Sequence, residues 1–168
     1  MSEEINFYRS YHTNTVNKMI HAFCIPLIVI SVINILSMIS IIVVKTGGSK
    51  KGFINHWFQG GYINIDYITT IFIYLAFYWK NYSFNVFILM SVYFLFCGCL
   101  AKIWRLVDEK WEYNTYKIFI ASWILQFIGH FIEGKRPALM DSFTQSLYQA
   151  PLYTLEYYYP PLFSKLGI

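Results

Sequence analysis

The strongest constraint on the fold is a long run of apolar residues near the amino terminus that carries no charge. No Asp, Glu, Lys or Arg occurs in residues 19–44, and residues 24–44 are mostly Ile, Leu and Val. A helix of that length measures about 31 Å, which is the thickness of the hydrocarbon core of a bilayer. The run therefore predicts a membrane-spanning helix. It lacks the small-residue cleavage site of a secretory signal peptide.

The composition extends this interpretation to the whole chain. Of the 168 residues, 57% are apolar and 13% are charged, against about 45–50% and about 25% in soluble domains. The charged residues are too few to cover the surface of a soluble protein, and the chain is too apolar to be disordered. The basic residues are scattered, so we predict no nucleic-acid partner. The three cysteines lie within apolar runs and indicate no disulfide framework.

We predict an all-α fold, a polytopic membrane helix bundle with an N-terminal helix and an interfacial carboxyl-terminal tail. Four spans are predicted, at residues 24–44, 63–79, 84–101 and 118–132, in a single membrane domain that covers residues 1–168. The tail is rich in Tyr and interrupted by prolines, which is typical of a segment at the membrane interface rather than of a span.

An even number of spans gathers several polar residues at one membrane face. His12 and His21 precede the first span, whereas His130 and Glu133 end the fourth, so all four are expected on the same side. His56 lies in the loop after the first span, on the opposite side, and we predict that it is not a ligand of the same site. Lys and Arg are almost equally frequent on the two sides, so they do not orient the protein.

The three histidines at this face are candidate metal ligands. His12 and His21 are nine residues apart, which places them on opposite faces of an unbroken helix. Both reach one metal only if the helix breaks at residues 13–15, with Asn14 or Thr15 as the cap. Three imidazoles leave open coordination positions, as catalytic sites require. They suit zinc, iron and copper alike, so the residue types do not choose the metal.

Other polar residues near this face have two interpretations each. Glu133 lies one turn after the third histidine and is a candidate fourth ligand or a hydrogen-bond partner. Asn17 orients His21 or bonds at the helix terminus. Arg136 and Lys135 pair with a substrate carboxylate or with lipid headgroups. A glutamine inside the fourth span, Gln126, contacts substrate or bonds between helices. No nucleophile elbow, phosphate loop or dinucleotide fingerprint occurs.

Several blocks of uncommon residues resemble those of the small endoplasmic-reticulum 2-hydroxy fatty acid dioxygenases, both in their order and in their spacing. The resemblance runs from about Tyr8 to Pro151, and the middle of the chain contributes only hydropathy. The blocks are Tyr8-x3-His12, Asn17-x3-His21 with Pro26, Trp123-x2-Gln126-Phe-x-Gly129-His130, Glu133, Arg136-Pro137-Ala138-Leu139, Gln145-Ser146-Leu147 and Ala150-Pro151.

The resemblance implies an Fe(II)-dependent dioxygenase. Such an enzyme α-oxidises 2-hydroxy long-chain fatty acids with dioxygen to CO2 and the acid one carbon shorter, in phytosphingosine and sphingolipid breakdown. It implies a multi-pass protein of the endoplasmic-reticulum membrane with its active-site face toward the cytosol. The expected iron ligands are His12, His21 and His130, with Glu133 as a further candidate. The expected substrate-binding residues are Arg136, Lys135, Gln126, Tyr8 and Asn17. Two alternatives are a different metal-dependent lipid enzyme, such as a zinc hydrolase, and a non-enzymatic tetraspan scaffold.

Overall fold

The computed structural model describes residue 6 and residues 9–43, 66–141 and 143–166, and these residues form helices and short connections. The elements, in chain order, are α1 (Thr15–Val43), α2 (Asp66–Asn81), α3 (Phe84–Val107), α4 (Trp111–Glu133), a 3-10 turn (Ala138–Met140), α5 (Phe143–Tyr158) and α6 (Leu162–Leu166). No strand occurs within these ranges, which confirms the predicted all-α class.

Three of the described helices are long and apolar enough to cross a membrane. Their candidate spans are Thr15–Met38, Phe84–Val107 and Trp111–Glu133, and they expose large apolar side chains such as Phe23, Phe96 and Phe131. Apolar side chains on the outer surface are expected where the solvent is lipid. The chain is therefore a helical membrane bundle. The predicted second span begins at residue 63, outside the described residues, so the count of four spans and the single domain stay predictions.

The central helix of the bundle is α1. It contacts α2, α3 and α5 and packs most extensively against α4. The two helices approach closely because residue 129 of α4 is glycine. A Cβ atom there would overlap the side-chain oxygen of Asn17 in α1, so only glycine fits without movement. The hydrophobic core combines side chains from α1, α2, α3 and α5: Val29, Ile30, Ile33, Tyr78, Val86, Met90, Phe94, Cys97, Ala101, Leu152 and Tyr153.

Each of two helices contains an internal proline, and in each case a tyrosine bonds to the carbonyl that the proline leaves unused. Pro26 and Pro151 have no N–H to donate to the carbonyl four residues earlier. That carbonyl belongs to Ala22 in α1 and accepts a hydrogen bond from the Tyr158 hydroxyl at 2.6 Å. In α5 it belongs to Leu147, which faces a tyrosine hydroxyl of α2 at 3.4 Å. The carbonyl that each proline leaves free therefore links its helix to a neighbouring helix.

The carboxyl-terminal tail, which the sequence predicts at the membrane interface, packs against the other helices. Leu152 and Tyr153 of α5 are buried in the core. The proline within this segment suggested an interruption, but the tyrosine hydroxyl from α2 offsets the missing backbone hydrogen bond. The segment therefore packs as a helix against α1.

Removing the hydroxyl that bonds to α1 should loosen the tail. We expect Tyr158→Phe to lower the free energy of unfolding by about 1 kcal/mol, the net value of one neutral hydrogen bond. For a chain of this size that loss corresponds to a fall in melting temperature of about 2–4 °C, measurable by thermal unfolding in detergent. Tyr159→Phe, at the neighbouring partly exposed position, is the matched control. Equal melting temperatures for the two variants would contradict the role of the bond.

Candidate metal centre

Three buried imidazoles meet at the end of the bundle where α1 begins and α4 ends. The ring centroids are separated by 4.5 Å between His12 and His21, 5.0 Å between His12 and His130 and 4.9 Å between His21 and His130. One ligand atom from each ring lies within 4.8 Å of the other two. The three histidines that the sequence predicts at one membrane face lie together in the structure. Their role as metal ligands stays a prediction.

The surroundings of the rings fit a bound cation. The Nδ1 atom of His21 lies 3.0 Å from the backbone carbonyl of Asn17, so the proton on Nδ1 is donated and Nε2 keeps its lone pair. His130 also has a buried Nδ1 atom, which has no hydrogen-bond partner among the described residues. Buried polar atoms are normally paired. Neutral imidazole nitrogens in this arrangement offer the donor set that a transition metal requires.

An interruption of the helix before Thr15 brings His12 to the other two histidines. Helix α1 begins at Thr15, and the side-chain oxygen of Asn14 accepts hydrogen bonds from the backbone N–H groups of Val16 at 2.8 Å and Asn17 at 3.4 Å. Asn14 is therefore the helix cap. The segment before it folds back across the helix end, which confirms the predicted break.

The carboxylate of Glu133 holds that segment against the end of α4. It accepts hydrogen bonds from the backbone N–H and hydroxyl of Thr13, from the backbone N–H of Asn14 and from the side-chain amide of Asn17. Its side chain is 1% exposed. The carboxylate does not belong to the ligand cluster that the described residues form. It instead bonds to residues on either side of the start of α1.

Further contacts hold the segment that carries His12. Arg9 forms an ion pair with Glu156 of α5, and this hydrogen-bonded carboxylate raises the pKa of the arginine. Tyr11 donates a hydrogen bond to Asp141 at 2.6 Å, which raises the pKa of the tyrosine. The ammonium group of Lys135 donates to the backbone carbonyl of residue 10 at 2.6 Å. The segment is thus attached to both α5 and the turn after α4.

The structure separates the predicted substrate-binding residues. Gln126 lines a groove beside the histidines. Asn17 is buried against the carboxylate at the end of α4 and does not line the groove. Arg136 is 70% exposed and pairs with Asp141 at 2.7 Å. Its contact with a substrate carboxylate stays a prediction, as does that of Lys135. Tyr8 lies outside the described residues, and so does His56.

The groove runs from the three histidines between α1, α4 and α5. Its remaining lining is almost entirely apolar: Ile25, Ile28, Val29, Tyr74, Trp123, Gln126, Phe127, Pro137, Leu139, Ser146, Leu147, Ala150 and Pro151. Sequence reasoning gave no role to Tyr74 or to the residues of α5. The Gln-Ser-Leu and Ala-Pro blocks did mark α5, but their contact with the groove requires the tail to fold back against α1.

A second cavity lies on another side of the cluster, and His12 lines both spaces. This cavity is more polar and includes Arg9, Lys18 and Glu156. The histidine cluster therefore lies between an apolar groove and a polar, partly charged cavity.

Comparison with known proteins gives two matches to this chain. A family model described as "2-hydroxy-palmitic acid dioxygenase Mpo1-like" matches residues 1–161. The chain is also 26% identical over 156 residues to the "2-hydroxy-palmitic acid dioxygenase MPO1" of Saccharomyces cerevisiae. The aligned region covers 92% of this chain and 77% of the yeast protein. No solved structure matches the chain significantly.

Proposed function

The chain belongs to the Mpo1-like family of 2-hydroxy-palmitic acid dioxygenases, and on that premise we propose that it is an Fe(II)-dependent dioxygenase of 2-hydroxy long-chain fatty acids. The observation that carries the proposal is the buried cluster of His12, His21 and His130 at the end of an apolar groove. An iron-dependent dioxygenase of fatty acids needs both features, a site for the ion and a slot for an acyl chain.

The proposed reaction balances without a further reductant. An acid R–CH(OH)–COOH and O2 give R–COOH, CO2 and H2O. The bond between C1 and C2 breaks, the substrate loses four electrons, and dioxygen accepts all four. The reaction therefore requires neither a nicotinamide nor a flavin cofactor, which agrees with the lack of a dinucleotide fingerprint in the sequence.

We assign the metal to the three imidazoles. Bound there, Fe(II) would supply the one-electron chemistry that lets dioxygen react with the acid. Zinc has no redox chemistry, so a dioxygenase in this family favours iron over zinc at the same donor set. Three protein ligands would leave coordination positions open at the ion, and the groove would hold the acid within reach of it.

The remaining residues have positioning and binding roles in this proposal. The apolar groove binds the acyl chain and excludes water. Glu133 holds the segment that carries His12, and the backbone carbonyl of Asn17 fixes the ring of His21. The polar cavity beside Arg9 and Lys18, which His12 also lines, lies at the charged end of the bundle, where the carboxylate of a lipid-borne acid is most soluble.

Metal analysis combined with oxygen uptake tests the proposal. We expect the purified protein to hold about one iron per chain and to consume equal amounts of dioxygen and 2-hydroxypalmitate, with equal amounts of CO2 and pentadecanoate formed. The zinc-loaded protein should be inactive. Turnover by zinc-loaded protein without oxygen uptake would instead indicate a zinc hydrolase, and a folded protein that binds no metal would indicate a scaffold.

The cellular setting is part of the same proposal. A substrate of this kind arises from hydroxylated long-chain bases such as phytosphingosine, so we place the enzyme in sphingolipid breakdown at the endoplasmic-reticulum membrane. We place the histidine cluster on the cytosolic side. Reagent access to a cysteine introduced beside the cluster, in sealed microsomes, reports this orientation.

A further inference from the structure

Two polar side chains interrupt the apolar lining of the groove beside the histidine cluster. Gln126 is on α4, one helical turn before His130, so both side chains lie on the same face of that helix. Ser146 is on α5, across the groove. Neither is part of the histidine cluster.

Both side chains are buried and carry a polar atom with no partner. Gln126 is 8% exposed and Ser146 is 7% exposed. Within the described part of the chain, neither the amide nitrogen of Gln126 nor the hydroxyl of Ser146 has a hydrogen-bond partner. A buried polar group without a partner destabilises a protein, and the two side chains line one groove. They therefore have the properties of groups that a ligand satisfies.

The chemistry of the two groups defines the part of a ligand that fits them. An amide nitrogen only donates, so it needs an acceptor such as a carboxylate oxygen. A serine hydroxyl both donates and accepts, as does an alcohol. An acyl chain offers neither, whereas the oxygenated end of a 2-hydroxy acid offers both within two carbon atoms.

We propose that Gln126 and Ser146 bind the oxygenated end of the substrate in the groove, and this inference rests on the proposed function. Gln126 donates to the carboxylate, and Ser146 exchanges a hydrogen bond with the 2-hydroxyl group. Ser146 is thereby the residue that selects 2-hydroxy acids over unsubstituted acids. A site built to hydrogen-bond a hydroxyl disfavours the analogue that lacks it, because the polar group of the site is then left unpaired.

Substitution of each residue, compared with two competing acids, tests the assignment. Ser146→Ala should raise the KM for 2-hydroxypalmitate about tenfold, the value of one hydrogen bond. It should leave the inhibition constant of palmitate unchanged. Gln126→Met, which keeps the length of the side chain, should weaken both acids about tenfold. Ser146→Thr retains a hydroxyl and should retain the selection. Iron content and kcat should stay near the wild-type values in all three variants.

Stability separates this role from a structural one. Removal of an unpaired buried polar group should leave the melting temperature of the ligand-free protein unchanged or raise it, so Ser146→Ala is expected to fold. Ser31→Ala is the matched control. It removes a buried hydroxyl with no partner among the described residues, away from the groove, and should change neither KM nor selection.

Three results would overturn the inference. The first is an unchanged KM for 2-hydroxypalmitate in both groove variants, and the second is equally weakened binding of both acids in Ser146→Ala. The third is a lower iron content or a lower melting temperature that accompanies the loss of activity. Failure of the proposed function would look different. The wild-type protein itself would then consume no oxygen with 2-hydroxypalmitate.

Discussion

Alanine at His12, His21 or His130 should remove most of the bound iron and lower turnover by more than about a hundredfold. The three rings lie against one another, and each offers one ligand atom to the proposed iron. Even changes to residues that only support a ligand cost about 10–100-fold in affinity. Metal analysis and oxygen uptake on the same sample measure both effects.

His56→Ala is the control for the loss of an imidazole. The sequence predicts that His56 lies at the opposite membrane face, so this variant should keep both iron and activity. A folded His56→Ala protein without iron would show the predicted topology to be wrong. Full iron occupancy in all three variants of the cluster would contradict the assignment of the ligands.

Glu133→Ala should have the second largest effect on stability and iron binding, because its carboxylate bonds to three residues around the start of α1. Its loss leaves the donors of Thr13 and Asn14 without that acceptor and frees the side chain of Asn17. Hydrogen bonds to a charged group contribute about 1.5–3 kcal/mol, so we expect a loss of stability in that range. Iron affinity should fall about 10–100-fold.

Rescue distinguishes a positioning role for Glu133 from a role as ligand. If the carboxylate only holds the segment that carries His12, excess Fe(II) should restore activity to Glu133→Ala but not to the histidine variants. Trypsin should also cleave after Arg9 faster in the variant, because the segment is less firmly attached. Glu112→Gln, an exposed glutamate at the start of the same helix, is the control. Failure of excess iron to restore any activity would favour Glu133 as a ligand.

The convergence of the histidines was predictable because it depends on periodicity and parity. The predicted even number of spans places the first and last histidines on one side, and the turn of a helix demands a break between His12 and His21. Asn14 is a residue type that caps helices, and it does so here. These arguments use only the geometry of helices in a bilayer.

The partners of individual side chains were not predictable, because they depend on how the helices pack. Arg136 pairs with Asp141, five residues later, which follows from the shape of the turn after α4. Ser146 reaches the groove because α5 folds back against α1. Its proline, which suggested an interruption, is accommodated by a tyrosine of α2. Hydropathy contains no signal for any of these contacts.

The long-range contacts of the amino-terminal segment have a consequence for the order of events during synthesis. The hydrogen bonds between Thr13 and Glu133 join residues 120 positions apart, and the ion pair of Arg9 reaches still further along the chain. During synthesis the first spanning helix emerges long before its partner α4, so the histidine cluster cannot exist in the nascent chain. It forms only after the last long helix has inserted and the amino terminus has folded across it. Metal uptake would then report that insertion is complete, and a truncated or wrongly inserted chain would stay metal-free.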